Sequence, residues 1–345
     1  MVVIAPKFFL CSNLVVWRPG YSLEIHLIVQ DHRLDMKVGL CLPQVSERIT
    51  KENILYIATE AEKEGIDPLW ALDRLLWPIK PQTPYVASPD GSLPIEYQNV
   101  LDPLTTLTYV AGATERISLG TSVIDMFFHN PVLLSKRFTA LDILSDGRVI
   151  AGLGMGWSKD EYEVAEIPYR DRGNRADEYL QILKKIWTYD VVEFKGRFYN
   201  IPASKIGPKP SQRPHPPILI GSFSPKAFSR IVNYANGWIG AAGFGPLEQL
   251  EEAINVLKEI ARKADRDPSK VSIYMINYPN ILESSLSSNQ VRSPMTGTIE
   301  QIGSDIEQIK AMGTDHIIFG HQFSSVGRDI KKMIELTKEL ARFAK

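Results

Sequence analysis

The sequence predicts an α/β fold, a (β/α)8 TIM barrel with insertion loops at its C-terminal face. Its length of 345 residues suits one such barrel, because these barrels run from about 200 to more than 400 residues. From Lys37 onward, short β-branched segments alternate with amphipathic helices, an order typical of βαβ units and a parallel sheet. Eight strand–helix pairs can be counted, and eight is the number that closes a barrel.

The strands of the first half are predicted from β-branched and apolar segments bounded by turn residues. They cover Val38–Leu42, Leu69–Leu72, Ile117–Ile124 and Val149–Leu153. Helices are predicted between and after them near 51–64, 104–113, 131–147 and 171–187. Two local signals support helix ends, since Gly65 suits a C-cap and Pro131 suits a first helical position.

The second half continues the alternation. Its predicted strands cover Ile218–Ile220, Trp238–Gly240, Val271–Ile276 and Ile317–Phe319. Helices are predicted from Ser224, over 247–264 and up to Phe343; in the second of these, apolar residues recur with a period near 3.6.

Three long loops are predicted at 77–102, 201–217 and 277–298. The first and third follow strands and therefore lie at the C-terminal face, where such barrels place their active sites. The third is rich in Ser and Asn, which fits either a lid or a disordered loop.

Composition excludes several function classes. The formal net charge is -1, from 39 basic and 40 acidic side chains, and no basic patch predicts a nucleic-acid partner. The sequence contains no unbroken run of about 18 apolar residues, so no membrane-spanning helix is predicted. Only two cysteines occur, Cys11 and Cys41, which suits a reducing cytoplasm. The first strand has no His-x-His pair, so no metal site is predicted.

Residues 1–35 fit neither a signal peptide nor a first barrel strand. A natural first strand opens instead at Met36, with the segment Met-Lys-Val-Gly-Leu. We therefore expect 1–35 to be a poorly integrated N-terminal extension, from an upstream start that the cell does not use, and 36–345 to be the barrel domain.

Small and hydroxyl-bearing residues gather at three predicted strand ends. Glycine there lets a backbone approach a ligand closely, and amides at a helix N-terminus attract phosphate. Because these three strand ends converge on the C-terminal rim of the predicted barrel, they predict a site there for a phosphate-bearing ligand. The candidate binding residues are Thr121, Ser122, Val123, Gly154, Met155, Gly156, Trp157, Gly221, Ser222, Phe223 and Ser224.

From Met36 to its end the chain resembles the luciferase-like monooxygenase superfamily, above all the branch of oxidoreductases that use the deazaflavin coenzyme F420. The motifs that carry the resemblance are Leu69–Trp77, Leu119–Val123, Leu141–Arg148, Gly152–Trp157, Arg172–Glu178 and Pro217–Gly221.

The resemblance has consequences for single residues. It implies a non-proline cis peptide in the third strand, for which Ser122–Val123 is the matching pair. It also implies an acid followed by His at the end of the second strand, where this sequence has Asp73-Arg74. Because Arg stays charged, Arg74 is expected to hold an anion or a carbonyl oxygen rather than to carry a proton.

The candidate catalytic residues are therefore Asp73 and Arg74, with Glu161 and His129 as possible proton donors beside Asp125. For Glu161, Asp125 and His129 taken singly, a structural role is the favoured alternative.

The resemblance implies hydride transfer between coenzyme F420 and a small organic substrate, and a homodimer. FMN in the same site would instead permit an oxygen-using monooxygenase. A non-catalytic flavin-binding barrel is a third reading, which the missing His keeps open, and a barrel without any cofactor is a fourth.

Overall fold

The computed structural model describes residues 35–345 except Arg48, Pro89, Phe223, 286–291 and Ser325. The predicted N-terminal extension, 1–35, lies outside the described part except for its last residue. It therefore stays a prediction.

The described residues form a closed parallel barrel, which confirms the predicted fold class. Its strands are β1 (Lys37–Cys41), β2 (Leu69–Ala71), β3 (Leu119–Thr121, continued at Ile124–Asp125), β4 (Val149–Gly154), β5 (Ile218–Gly221), β6 (Gly237–Ala241), β7 (Ser272–Asn277) and β8 (His316–Phe319). Each strand pairs in parallel with its neighbour in the chain, and β1 pairs with β8 to close the ring.

Helices cover the outside of the barrel. They are α1 (Lys51–Glu64), α2 (Pro103–Ala111), α3 (Pro131–Leu144), α4 (Lys159–Val164), α5 (Arg172–Thr188), α6 (Pro225–Tyr234), α7 (Leu247–Lys263), α8 (Ile299–Ala311) and α9 (Ile330–Ala341). The bounds of α1 are as predicted, because Thr50 caps its first turn and Gly65 ends it at a φ of 74°. No described helix has the length and apolar character needed to cross a membrane.

The third strand differs from its prediction. Instead of one strand over 117–124, two short segments flank Ser122 and Val123, and the peptide between those two residues is cis, as the resemblance implied. Before the break, Thr121 anchors β3 to β4, because its Oγ1 donates to the Gly152 carbonyl at 2.7 Å and accepts from the Gly152 N–H at 2.9 Å. Side-chain periodicity carries no signal for such an interruption.

A separate apolar cluster fills the inside of the barrel. Trp70 is its largest member and is fully buried. A Cβ at Gly120 would lie 2.4 Å from the Trp70 ring, so the neighbouring strand needs glycine there. The other buried members are Cys41, Ile150, Leu219, Ile239, Tyr274, Ile276 and Ile318.

The predicted long loops contain local structure. After α5, Val191–Lys195 and Asn200–Lys205 form an antiparallel hairpin, whose second strand occupies the start of the loop predicted over 201–217. In the loop after β7, Asn280–Ile281 pairs in parallel with Thr296–Gly297. Residues 286–291 within it lie outside the described part, so its reading as a lid stays a prediction.

Candidate active site

A cavity of about 670 Å³ opens at the C-terminal mouth of the barrel. This volume lies within the range of pockets that enclose small-molecule ligands and cofactors. Its walls come from the ends of β2, β3, β6 and β7, from the loops that follow β2, β4, β6 and β7, and from α7. The lining residues include Leu72, Asp73, Arg74, Tyr85, Tyr97, Ser122, Val123, Asp125, Trp157, Trp238, Ala241, Phe244, Leu250, Ile276 and Tyr278.

Arg74 lies in the cavity wall just after β2, with a side chain only 5% exposed. Its guanidinium carbon lies 4.9 Å from the Trp157 ring centre and 5.7 Å from the Tyr97 ring centre, so aromatic faces flank the cation. Nε donates to the Leu76 carbonyl at 3.1 Å. Among the described residues, Nη2 is buried and has no hydrogen-bond partner.

Glu161 lies behind Arg74 and is fully buried on the short helix α4. Its Oε1 is 3.4 Å from Arg74 Nε and accepts hydrogen bonds from the N–H groups of Leu75 and Leu76. Burial raises the pKa of Glu161, and Arg74 and the two N–H donors offset that rise only in part. Glu161 thus fixes the chain after β2 and contacts the cation rather than the cavity.

Two more carboxyl groups lie beside this pair. Asp73 Oδ2 is 3.7 Å from His129 Nε2 and accepts a hydrogen bond from the Asp125 N–H at 3.3 Å. The carboxyl of Asp125 accepts a hydrogen bond from the N–H of Gly156. Its pKa lies well above the ordinary value, first because burial desolvates it and then because Asp73 and Glu161 repel its charge.

The glycines at the strand ends make room for side chains of the chain itself. A Cβ at Gly154 would lie 2.5 Å from Val123 Cγ2, and one at Gly221 would lie 3.0 Å from Val123 Cγ1. At Gly156, which has a φ of 69°, a Cβ would lie 3.2 Å from Asp125 Oδ2. These glycines therefore seat Val123 and Asp125, which in turn line the cavity.

The family model described as luciferase-like monooxygenase matches residues 36–284. The chain belongs to the luciferase-like monooxygenase family. Among its relatives, the uncharacterized protein Rv0953c of Mycobacterium tuberculosis is 34% identical over 210 residues, 60% of this chain and 73% of that one. An F420-dependent glucose-6-phosphate dehydrogenase of Amycolatopsis mediterranei is 27% identical over 265 residues, 74% of each chain.

Solved structures share the fold of this luciferase-like protein. The monooxygenase RslO1 from Streptomyces bottropensis has a TM-score of 0.72 at 20% identity, covering 89% of this chain and 98% of its own. An F420-dependent secondary alcohol dehydrogenase in complex with an F420-acetone adduct has a TM-score of 0.73 at 19% identity, covering 90% and 100%. The predicted family and the predicted class, an oxidoreductase, are both confirmed.

The cavity of this luciferase-like protein brings together only part of the predicted site. Asp73, Arg74, Ser122, Val123 and Trp157 line it. Other predicted residues support the wall from behind or lie beside it: Thr121, His129, Gly154, Met155, Gly156, Glu161 and Gly221. Ser222 and Ser224 lie at the start of α6 and do not line the cavity. Phe223 lies outside the described residues.

Sequence reasoning missed four aromatic residues that also line the cavity. Tyr85 and Tyr97 come from the proline-rich loop after β2 and contact each other edge to face, with ring centres 6.0 Å apart. Tyr278 follows β7, and Phe244 comes from the loop after β6. The length of the loop after β2 was a usable signal, but nothing in its sequence indicated which residues turn inward.

Proposed function

We propose that this luciferase-like protein is an oxidoreductase that binds coenzyme F420 in the cavity and uses it on a small organic substrate. The observation that carries the proposal is the interrupted β3, which presents Ser122 and Val123 at the cavity between glycines of β4 and β5. An F420-dependent dehydrogenase among the relatives supports the choice of deazaflavin over FMN.

The residues present fit a planar cofactor. Val123 gives an apolar contact surface, and Ala241 and Ile276, paired on β6 and β7, add a second one to the cavity lining. Beside it, Ser122 Oγ is buried without a hydrogen-bond partner among the described residues. Because a buried hydroxyl without a partner is unfavourable, a polar edge of a bound ring would satisfy it.

The start of α6 fits an anionic arm. Ser224 is the N-cap of this helix, yet its side chain makes no capping hydrogen bond, so the first N–H groups lack their usual side-chain acceptor. Ser222 lies on the same turn, and its Oγ accepts from the Ser224 N–H at 3.4 Å. Helix N-termini with free N–H groups favour phosphate. We assign the phosphate of the cofactor to Ser222 and Ser224.

The protein's own residues would position and enclose the reactants. When bound, F420 supplies two-electron chemistry by hydride exchange, which is the property of the cofactor. The loop after β2 covers one side with Tyr85 and Tyr97 and excludes water. Arg74 keeps its charge across the working pH range, so any proton exchanged with the substrate must come from another group.

Titrating the full-length protein with oxidised F420 and, separately, with FMN tests the proposal through changes in the absorbance bands of each ring. We expect F420 to bind more tightly than FMN. A protein that binds FMN and not F420 would point to oxygen chemistry instead, and one that binds neither would refute the proposal.

A substitution tests the phosphate assignment. Ser224→Asp places a negative charge at the start of α6 and should weaken F420 binding at least tenfold, about 1.4 kcal/mol, by repulsion of the phosphate. Thr188→Asp, at the end of α5, is the matched control because it adds the same charge at a helix end remote from the cavity lining. Equal affinities of both variants and the unaltered protein would contradict the assignment.

We also propose that the protein forms a homodimer through α2 and α3. Large apolar side chains on these packed helices are solvent-exposed: Tyr109 at 45%, Leu133 at 55% and Leu144 at 63%. Light scattering coupled to size exclusion should give twice the monomer mass, and Leu133→Glu with Leu144→Glu should give the monomer. A monomeric unaltered protein would refute this proposal.

A further inference from the structure

The charged groups on the cavity wall restrict what can enter. Asp73, Arg74 and Asp125 are the ionisable Asp, Glu, Lys or Arg residues among the described lining residues. The described lining contains no lysine and no second arginine. A phosphate or carboxylate substrate would therefore face one cation and two acidic side chains. The cavity offers no excess of positive charge for an anion.

Of the three carboxyl groups at this wall, two have a basic side chain beside them and the third, Asp125, has none. Asp73 has His129 at 3.7 Å, and Glu161 has Arg74 at 3.4 Å. Within the described part of the chain, no Lys, Arg or His nitrogen comes within 4 Å of the Asp125 carboxyl. The carboxyl accepts a hydrogen bond from the Gly156 N–H instead. Asp125 is thus a half-buried carboxyl beside two others, without a basic side chain of its own.

A carboxyl in this position is most stable when protonated. The pKa of Asp125 is raised well above its usual range, first by burial and then by the charges of Asp73 and Glu161, while Arg74 and the Gly156 N–H only partly oppose the rise. A protonated carboxyl carries one O–H donor. Asp125 can therefore donate a hydrogen bond into the cavity that it lines.

Arg74 supplies a second donor to the same cavity. Its Nε is committed to Leu76 and Glu161, and its faces are covered by aromatic rings, whereas buried Nη2 has no partner in the described residues. A buried donor without an acceptor is costly, so a ligand oxygen at Nη2 would be bound favourably.

We propose that Asp125 and Arg74 form an oxygen-binding subsite for a neutral carbonyl compound, whose oxygen accepts one hydrogen bond from each residue. The rest of the wall, with Leu250, Ala253 and Ile276, suits a compact apolar carbon skeleton. The inference rests on the proposed function in taking this compound to be the substrate. It disfavours sugar phosphates and carboxylates.

Two probes with the same ring test the subsite on the full-length protein. Cyclohexanone offers a neutral carbonyl oxygen and cyclohexanecarboxylate offers an anion, and ligand-observed NMR titrations give both dissociation constants, with and without saturating F420. We expect cyclohexanone to bind at least tenfold more tightly than the carboxylate, in line with about 1.4 kcal/mol per factor of ten.

Variants separate a donor role from a structural one. Asp125→Asn keeps a neutral side chain with an N–H donor, so cyclohexanone affinity at neutral pH should stay within about threefold. Asp125→Leu removes its donor, and Arg74→Lys keeps the charge but withdraws the donor from the position of the guanidinium Nη2; each should weaken binding about tenfold. As pH rises, the unaltered protein should lose affinity when Asp125 deprotonates, whereas Asp125→Asn should show no such loss.

The results distinguish this inference from the proposed function. Tighter binding of the carboxylate, unchanged affinity in Arg74→Lys, or the same pH dependence in Asp125→Asn as in the unaltered protein would overturn the subsite, even if F420 binds. If F420 does not bind but the ketone preference and variant effects appear, the proposed function fails and the subsite stands.

Discussion

Breaking the buried ion pair between Arg74 and Glu161 should have a large effect on stability. The two groups are 3.4 Å apart, and their side chains are 5% and 0% exposed. At that distance an effective dielectric constant of about 20 gives an attraction of about 5 kcal/mol. Glu161→Gln removes the charge but keeps an oxygen for the Leu75 and Leu76 N–H groups. We expect it to lose 3–5 kcal/mol, about the cost of leaving one buried charge unpaired.

Urea unfolding followed by tryptophan fluorescence measures this loss as a lower midpoint at an unchanged m-value. Glu163→Gln is the matched control, because Glu163 lies on the same helix and accepts one exposed hydrogen bond, from Gln82. It should change the stability by no more than about 0.5 kcal/mol. Adding Arg74→Met to Glu161→Gln removes both charges and should restore most of the loss. A loss below about 1 kcal/mol in Glu161→Gln would refute the reasoning.

Three further predictions concern stability and reactivity. Arg148→Ala should cost about 2–4 kcal/mol in thermal unfolding, because this guanidinium binds four backbone carbonyls around the end of α2 and the end of α3; an unchanged midpoint would contradict it. In a Cys11→Ala variant, Cys41 should resist a thiol reagent until the protein unfolds, since burial raises its pKa to about 12, and rapid labelling of the native protein would count against its buried position. Because the pKa of Asp125 is raised in the folded protein, this carboxyl keeps its proton at pH values above the unfolded-state pKa of about 3.9. The stability that the protonated carboxyl contributes is therefore lost as pH rises from about 3.9 toward the folded-state pKa. Asp125→Asn should therefore gain thermal stability over the unaltered protein as pH rises, and parallel pH profiles would exclude this.

Local signals explain which elements could be predicted closely. The helix over 51–64 has a capping Thr50 and a terminal Gly65, and both act through the adjoining backbone. The short helix over 159–164 was not predicted, because six residues are too few to show a 3.6-residue period. The break at Ser122 and Val123 was implied by family resemblance alone. Its backbone geometry depends on β4 and β5, which are distant in sequence.

The site was predictable to the extent that strand ends identify a rim. Asp73 and Trp157, which were predicted from strand ends, line the cavity because each follows a barrel strand; their roles stay predictions. The contact between Arg74 and Glu161 was not predictable, because the two segments are distant in sequence. Glu161 lies 86 residues after Leu75, from whose N–H it accepts a hydrogen bond. The inward-facing Tyr85 and Tyr97 come from a loop without periodicity, so no pattern distinguished them from exposed neighbours.

The arginine that replaces the expected histidine changes how protons are distributed around the cavity. A histidine at position 74 could gain or lose its charge near neutral pH and so exchange a proton itself. Arg74 cannot, and its fixed charge stabilises one carboxylate, Glu161, at 3.4 Å. The other basic side chain near these carboxyls in the described part of the chain is His129, whose Nε2 lies 3.7 Å from Asp73 Oδ2. Arg74 pairs with Glu161 and His129 lies beside Asp73, whereas burial and these two acidic neighbours raise the pKa of Asp125. We therefore expect the proton-holding group of this cavity to be Asp125, at the end of β3, rather than residue 74 at the end of β2.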